Sequence, residues 1–196
     1  QIWSASGPLV DVNALLAGVT LTPTANWSSN FSIATSVSDG VAPAVTGTKA
    51  VTVIAVNDAP TATYLNAAES FTEDGGAFSL IDSVVTDSDT GGTITATLTL
   101  SNSGAGTLST ATNGSVTSSF NGQIWSASGP LADVNALLAG VILTPTANWD
   151  SSFSIATSVS DGVAPAVTGT KAVTVIAVND APTVTQLNAA ESFTED

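Results

Sequence analysis

The chain is 196 residues long and strongly acidic: sixteen aspartates and glutamates stand against two lysines, Lys49 and Lys171, with no arginine, histidine or cysteine. Nucleic acid is excluded as a partner because phosphate binding needs basic residues to displace counterions, and an anionic membrane surface is disfavoured for the same reason. No disulfide framework or thiolate site can exist, and carboxylates with so few internal cations must be solvated or neutralised by ions from solution.

Self-similarity organises everything else. Residues 1–74 recur as residues 123–196, offset by 122, with 68 of 74 positions identical; the differences are Val10/Ala132, Thr20/Ile142, Ser28/Asp150, Asn30/Ser152, Ala62/Val184 and Tyr64/Gln186. A unit of that length can bury its own core without a staple. With a module ending at Val56-Asn57-Asp58-Ala59-Pro60, residues 1–60 are the C-terminal half of one repeat, 61–182 a complete repeat, and 183–196 the start of the next. Termini in mid-module are expected of a window on a longer tandem array.

In chain order, Phe31–Val37 alternates with a period of two and predicts a half-buried strand. The apolar run Ala50–Val56 is interrupted by Thr52 and is far too short to span a bilayer. Asp74-Gly75-Gly76 and Gly91-Gly92 break the chain around Thr93–Leu100, whose strict alternation puts Ile94, Ala96, Leu98 and Leu100 on one face and threonine on the other. Turns follow at Asn113-Gly114, Asn121-Gly122 and Ser128-Gly129-Pro130, and their spacing predicts an antiparallel sandwich. Asp133–Gly140 predicts a short helix crossing it, with Asp133 as N-cap, Gly140 as stop, and Asp11 as the cap of the earlier copy. Phe153–Val159 repeats the half-buried strand. Asp161-Gly162 is a turn, and Ala172–Val178, apolar on both faces, predicts a final strand covered more heavily than its neighbours. Trp3, Trp27, Trp125 and Trp149 are expected in the core or at the sandwich edge, with a sugar platform as the alternative.

The ordered set Phe71-Thr72-Glu73-Asp74-Gly75, Val85-Thr86-Asp87-Ser88-Asp89, Val159-Ser160-Asp161-Gly162 and Val178-Asn179-Asp180-Ala181-Pro182 resembles cadherin repeats. It is most similar to the cadherin-like and Ig-like repeats of giant bacterial RTX adhesins, whose LxxVNAxLA segment is matched by Leu131–Ala139. The resemblance implies tandem Greek-key β-sandwich modules, all-β with one short helical segment each. It also implies calcium (Ca2+) between modules. Carried over, one ion would be held by Asn57, Asp58, Asp87, Asp89 and Asp161; Glu73, with Asp74 as a second candidate, would join Asn179 and Asp180 at the next junction, and Asp39 would face the preceding one. The chain departs from the family where a DRE motif is expected and Asn148-Trp149-Asp150 stands, and at Val178, where the linker lacks its upstream Asp; fewer ions per junction follow.

Oxygen-rich loops of this kind suit a hard divalent cation, which takes six to eight oxygen ligands. Yet Asp-Gly, Asn-Asp and Asp-Ser-Asp are also common loop formers that cap their own backbones. Glu69 and Glu191 read as solvated charges, and Asp82 has no assigned role. Without His, Cys or a Gly-rich phosphate loop, catalysis has little support; Asp87 and Asp89 as a glycosidase pair are the remaining possibility. The expected role is a non-enzymatic extender of a secreted or cell-surface adhesin of a Gram-negative bacterium, whose partners are neighbouring repeats and other copies of the chain. A glycan-binding module and a self-assembling filament or matrix component are the alternatives.

Overall fold

The computed structural model describes residues 1–196 apart from Thr90, Gln186, Leu187, Phe193 and Asp196. Four residues of the 183–196 stretch, expected to open a further repeat, thus lie outside the described residues. The chain is predominantly β and forms two compact units, 1–56 and 57–196. Among the described residues no helix is long and apolar enough to cross a membrane.

Unit 1–56 contains helix α1 (Leu9–Ala17) and strands β1 (Phe31–Val37) and β2 (Val45–Val51). Unit 57–196 begins with β3 (Thr61–Thr63), β4 (Glu69–Thr72), β5 (Phe78–Ser79), β6 (Val84–Thr86), β7 (Thr93–Leu100) and β8 (Gly106–Leu108). It continues with β9 (Thr112–Asn113), β10 (Val116–Thr117), β11 (Ser119–Phe120), β12 (Ile124–Pro130), helix α2 (Leu131–Leu138), β13 (Ile142–Pro145), β14 (Phe153–Ser160) and β15 (Val167–Ile176).

In unit 57–196 a six-stranded sheet runs in the order β11-β12-β7-β14-β15-β4, and a shorter one runs β5-β13-β8. Ile94, Ala96, Leu98 and Leu100 of β7 are buried, as the alternation predicts. They share one core with Trp125, Ile155, Val159 and Val173 of the large sheet and Leu108 and Leu143 of the small one. The indole of Trp125 is fully buried and donates to the Ser109 carbonyl at 3.0 Å, so its polar edge is satisfied where the two sheets meet. Helix α2 joins β12 of the large sheet to β13 of the small one and buries Val134, Leu137 and Leu138.

Several expectations are corrected. One strand pair is parallel, β15 with β4, from Val173 opposite Glu69 to Ile176 opposite Thr72; a parallel pair needs a long crossover, and the rest of the module supplies it. The final strand is not covered more heavily than its neighbours: only one face is buried, at Lys171 and Val173, while Ile176 and Val178 are exposed. Asp133 is not the N-cap: Pro130 holds that position without a side-chain cap, and the Asp133 carboxylate instead accepts from the Ser115 N–H and hydroxyl of the β9–β10 turn. Pro8 likewise caps α1, leaving Asp11 in its first turn. Glu69 is buried, not solvated, and forms a 3.2 Å ion pair with buried Lys171, whose ammonium also donates to the Ile81 carbonyl at 2.8 Å.

Unit 1–56 has almost the sequence of residues 123–178 but not its structure. Ile124–Pro130 is a strand because β7 and β11 flank it, whereas Ile2–Pro8 has no strand. Ile142–Pro145 is a strand between β5 and β8, whereas Thr20–Pro23 is not. The copies of β14 and β15 do form, as β1 and β2, because they pair with each other. Even so, β2 stops at Val51, the counterpart of Val173, where pairing with β4 begins in the other unit. The expected half-buried pattern of Phe31–Val37 is accordingly lost, and α1 buries none of its residues. A strand needs a ladder partner, and an isolated hairpin is marginal in water.

Lys171 and Lys49 occupy equivalent sequence positions in these two settings. Lys171→Met leaves the buried Glu69 carboxylate with the Ile81 N–H at 2.8 Å but no cation to answer its charge, and is expected to cost about 3–5 kcal/mol, whereas Lys49→Met at an exposed site should stay within about 0.5 kcal/mol. The urea dependence of amide exchange in Thr93–Leu100 measures the first, and equal small effects would contradict the buried pair.

Candidate functional site

The acidic residues singled out by the repeat gather at one end of unit 57–196 because of a short ladder. β3 pairs with β6, Thr61 opposite Thr86, and their hydroxyls share a 2.6 Å hydrogen bond. Residues just before Thr61 and just after Thr86 therefore emerge side by side. Pro60 is fully buried and fixes the start of the ladder. Asn135 of α2 holds the other strand: its side chain accepts from the Val85 N–H and donates to the Val85 carbonyl, each at 2.9 Å. This clamp, two residues ahead of Asp87, was missed by sequence reasoning; its signal was a lone amide among the apolar residues of the helix.

Two hydrogen bonds join the linker residues to the loops and a third lies within one loop. The Asp58 N–H donates to Asp89 Oδ2 at 2.7 Å, the Asp89 N–H donates to Asp87 Oδ1 at 2.8 Å, and Asn57 Nδ2 donates to Asp161 Oδ2 at 2.7 Å. Asp87, Asp89 and Asp161 are half-buried, while Asn57 and Asp58 are exposed. The structure thus brings these five residues into one neighbourhood.

The two copies of the Asp-Gly turn separate local from long-range roles. In both, the first carboxylate oxygen accepts two backbone N–H groups at 2.9 Å: Val163 and Ala164 for Asp161, Val41 and Ala42 for Asp39. In both, the following glycine has positive φ, 81° at Gly162 and 80° at Gly40. The turn is therefore encoded locally, as a loop-forming Asp would dictate. Asp161 adds a second task, since its other oxygen receives Asn57. That amide bond is the largest cause holding the Asp161 carboxyl below the usual carboxylate range, followed by the backbone N–H of Val163. For Asp39 the backbone N–H groups of Val41 and Ala42 have the same effect.

The other predicted residues lie apart from this group. Glu73 is buried and its Oε2 accepts the Val178 N–H at 2.9 Å, which places it beside the approach to Asn179 and Asp180. Asn179 donates to the carbonyl of Asp180 at 3.1 Å, and both are exposed. Asp74 has φ of 61° and accepts the Asn148 N–H at 3.5 Å.

Oxygen donors are the right chemistry for a hard cation, but convergence is a separate requirement. Among the described residues, no three His, Cys, Asp or Glu side chains are arranged to hold a metal ion. The carboxylates instead spend oxygens on N–H donors, which satisfy them in the same way an ion would. Neither a family model nor a curated protein sequence matches the chain.

The lowered Asp161 pKa fixes a sign for pH dependence. Its folded-state value lies below the unfolded one, so its stabilising contribution is present above the ordinary carboxylate range, about pH 4, and is lost as pH falls through the lowered value. The Asn57 side-chain amide resonances should therefore shift in that acidic window. Asp161→Asn retains an acceptor for Val163 and Ala164 but opposes one amide to another, so the shift should be present at neutral pH and show no acidic transition. An unchanged Asn57 signal in the variant would contradict the contact.

Proposed function

We propose that the chain is a stretch of structural extender repeats, cadherin-like or Ig-like Greek-key modules from a large bacterial cell-surface or secreted adhesin, stiffened by calcium where repeats meet. It is not an enzyme in this reading. One observation carries most of the weight: Asn57 and Asp58, the residues that lead into a module, are hydrogen-bonded to its own acidic loops through Asp161 and Asp89. A linker held in this way has a defined exit direction, which a projecting stalk requires.

Asn57, Asp58, Asp87, Asp89 and Asp161 are the residues that would hold the ion. Bound calcium supplies the positive charge that allows several carboxylates to approach one another. The chain's own part is to present them: β3 and β6 set the two strands level, Asn135 fixes the strand that leads to Asp87, and the Asp161 turn forms independently of any partner. Binding that favours the docked linker then raises stability by mass action. The acidic composition, sixteen carboxylates against two lysines, leaves few internal competitors for the ion. Near-identical repeats are expected where length is the property supplied.

Small-angle scattering of a polypeptide carrying several consecutive 122-residue repeats tests this reading. With calcium the maximum dimension should grow in proportion to repeat number, and chelator should shorten and broaden the distance distribution. Identical profiles in both conditions would rule out the calcium-stiffened stalk.

A further inference from the structure

Within unit 57–196 an early strand, β4, lies beside the last one, β15, and the contacts between them form a continuous seam. Asn66 Oδ1 accepts the Thr170 N–H at 2.6 Å across an offset of 104 residues, and the parallel ladder from Glu69 opposite Val173 to Thr72 opposite Ile176 keeps the same offset. Past the ladder, the Glu73 N–H donates to the Ile176 carbonyl and Glu73 Oε2 accepts the Val178 N–H, each at 2.9 Å. At the opposite end the chain passes so close to β15 that a Cβ on Gly169 would stand 2.6 Å from both Leu65 Cβ and Asn66 Oδ1. There the Leu65 carbonyl accepts the buried Thr157 hydroxyl at 3.0 Å.

The middle of the seam is closed by charge. Lys171 Nζ and Glu69 Oε1 are 3.2 Å apart, with side chains only 1 % and 4 % exposed. Ile81 holds both partners: its N–H donates to Glu69 Oε1 and its carbonyl accepts from Lys171 Nζ, each at 2.8 Å. A buried ion pair adds little net stability over an apolar replacement, but separating its partners leaves two uncompensated charges away from water. Sliding β4 along β15 has that consequence at once, because no solvent reaches the pair to replace the lost contacts.

The direction of the strands decides how tension would meet this seam. Since β4 and β15 are parallel, the chain enters the seam at Leu65 and leaves it at Val178, at opposite ends. Tension through the two ends of the chain therefore draws the strands past one another and loads all the rungs together. Pulling two neighbouring strands apart from the same end would open the rungs one after another.

We propose that this seam is a mechanical clamp: residues 65–73 against 169–178, fixed by the contact of Glu69, Lys171 and Ile81, set the rate at which a module unfolds under tension. The three-residue strand β3 gives way first, and the core opens only after the seam has slipped. The clamp belongs to a single module and is independent of calcium. That such tension reaches it in an assembled stalk rests on the reading above.

The test holds the full chain by its two ends at constant force, in chelator, and records the lifetime of the folded module; forced unfolding is governed by the unfolding rate. The clamp should give one long-lived step that releases about 40 nm, the extended length of residues 65–178. Lys171→Met should shorten the lifetime by about a hundredfold or more, because the contact is intact before rupture and lost at the barrier. Thr157→Val keeps the shape but removes one rung, and should shorten it by about tenfold. Leu108→Ala, in the core on β8 and outside the seam, lowers equilibrium stability but should change the lifetime by less than about threefold. In a second arm one handle is moved to exposed position 168 through Thr168→Cys, in a chain with no other cysteine, so that both strands are pulled from the same end. Rungs then break singly, and the lifetime at the same force should fall by about a hundredfold. Equal shortening by Leu108→Ala and Lys171→Met, or equal lifetimes for the two handle positions, would overturn the clamp. If Lys171→Met does not fold, Thr157→Val against Leu108→Ala and the two handle positions give the same decision.

Discussion

The fold of a module rests on the insertion of β7 between β12 and β14. That single strand, from the first half of the repeat, supplies ladder partners on both edges to strands of the second half. It also contributes four consecutive inward side chains to the shared core. Where it is present, Trp125 finds the Ser109 carbonyl and α2 buries three residues; where it is absent, the same sequence gives an exposed helix, a two-stranded ladder and an unpaired stretch at residues 2–8. Residues 1–56 thus act as an internal control, showing what local sequence alone specifies and what the partner half must add.

The same comparison divides the acidic residues by role. The Asp-Gly turn needs no partner, since Asp39 and Asp161 cap it identically. What Asp161 does with its second oxygen depends on Asn57, and what Asp89 does depends on Asp58. At Asp161 the loop-forming and ligand-like readings are therefore compatible: one oxygen builds the loop and the other faces the linker. The arrangement is dry of cations apart from Lys171, which is committed to Glu69 and the Ile81 carbonyl elsewhere in the module. Charge near Asp58 and Asp89 has no lysine of the unit to answer it, which is the physical motive for the proposal of an external ion.

Local patterns were legible in the sequence and long-range pairing was not. The alternation of Thr93–Leu100 fixed which side chains enter the core, and the glycines at 114, 122 and 162 marked turns that have positive φ. The neighbourhood of Asn57, Asp58, Asp87, Asp89 and Asp161 was reached only through the ordered motifs of the repeat. Glu69 looked solvated because its partner Lys171 is 102 residues away, across the one parallel ladder, and no period in the sequence announces such a pair. Asp133 stood where a helix cap is expected, but a proline at position 130 takes the cap and frees the carboxylate for Ser115. The loss of strands from residues 2–8 could not be read at all, because the sequence there is the one that forms β12.

Function, in this account, sits where a locally formed acidic turn and a loop of two aspartates meet the incoming linker. In the proposed stalk the repeat would supply length and the sandwich stiffness within each module. Calcium binding to the chain itself is the claim on which the stalk reading depends. Calorimetric titration of calcium into the 196-residue chain at neutral pH and moderate salt should give saturable heat that Asp89→Asn greatly reduces. Heat indistinguishable from dilution, or binding unchanged in that variant, would contradict it.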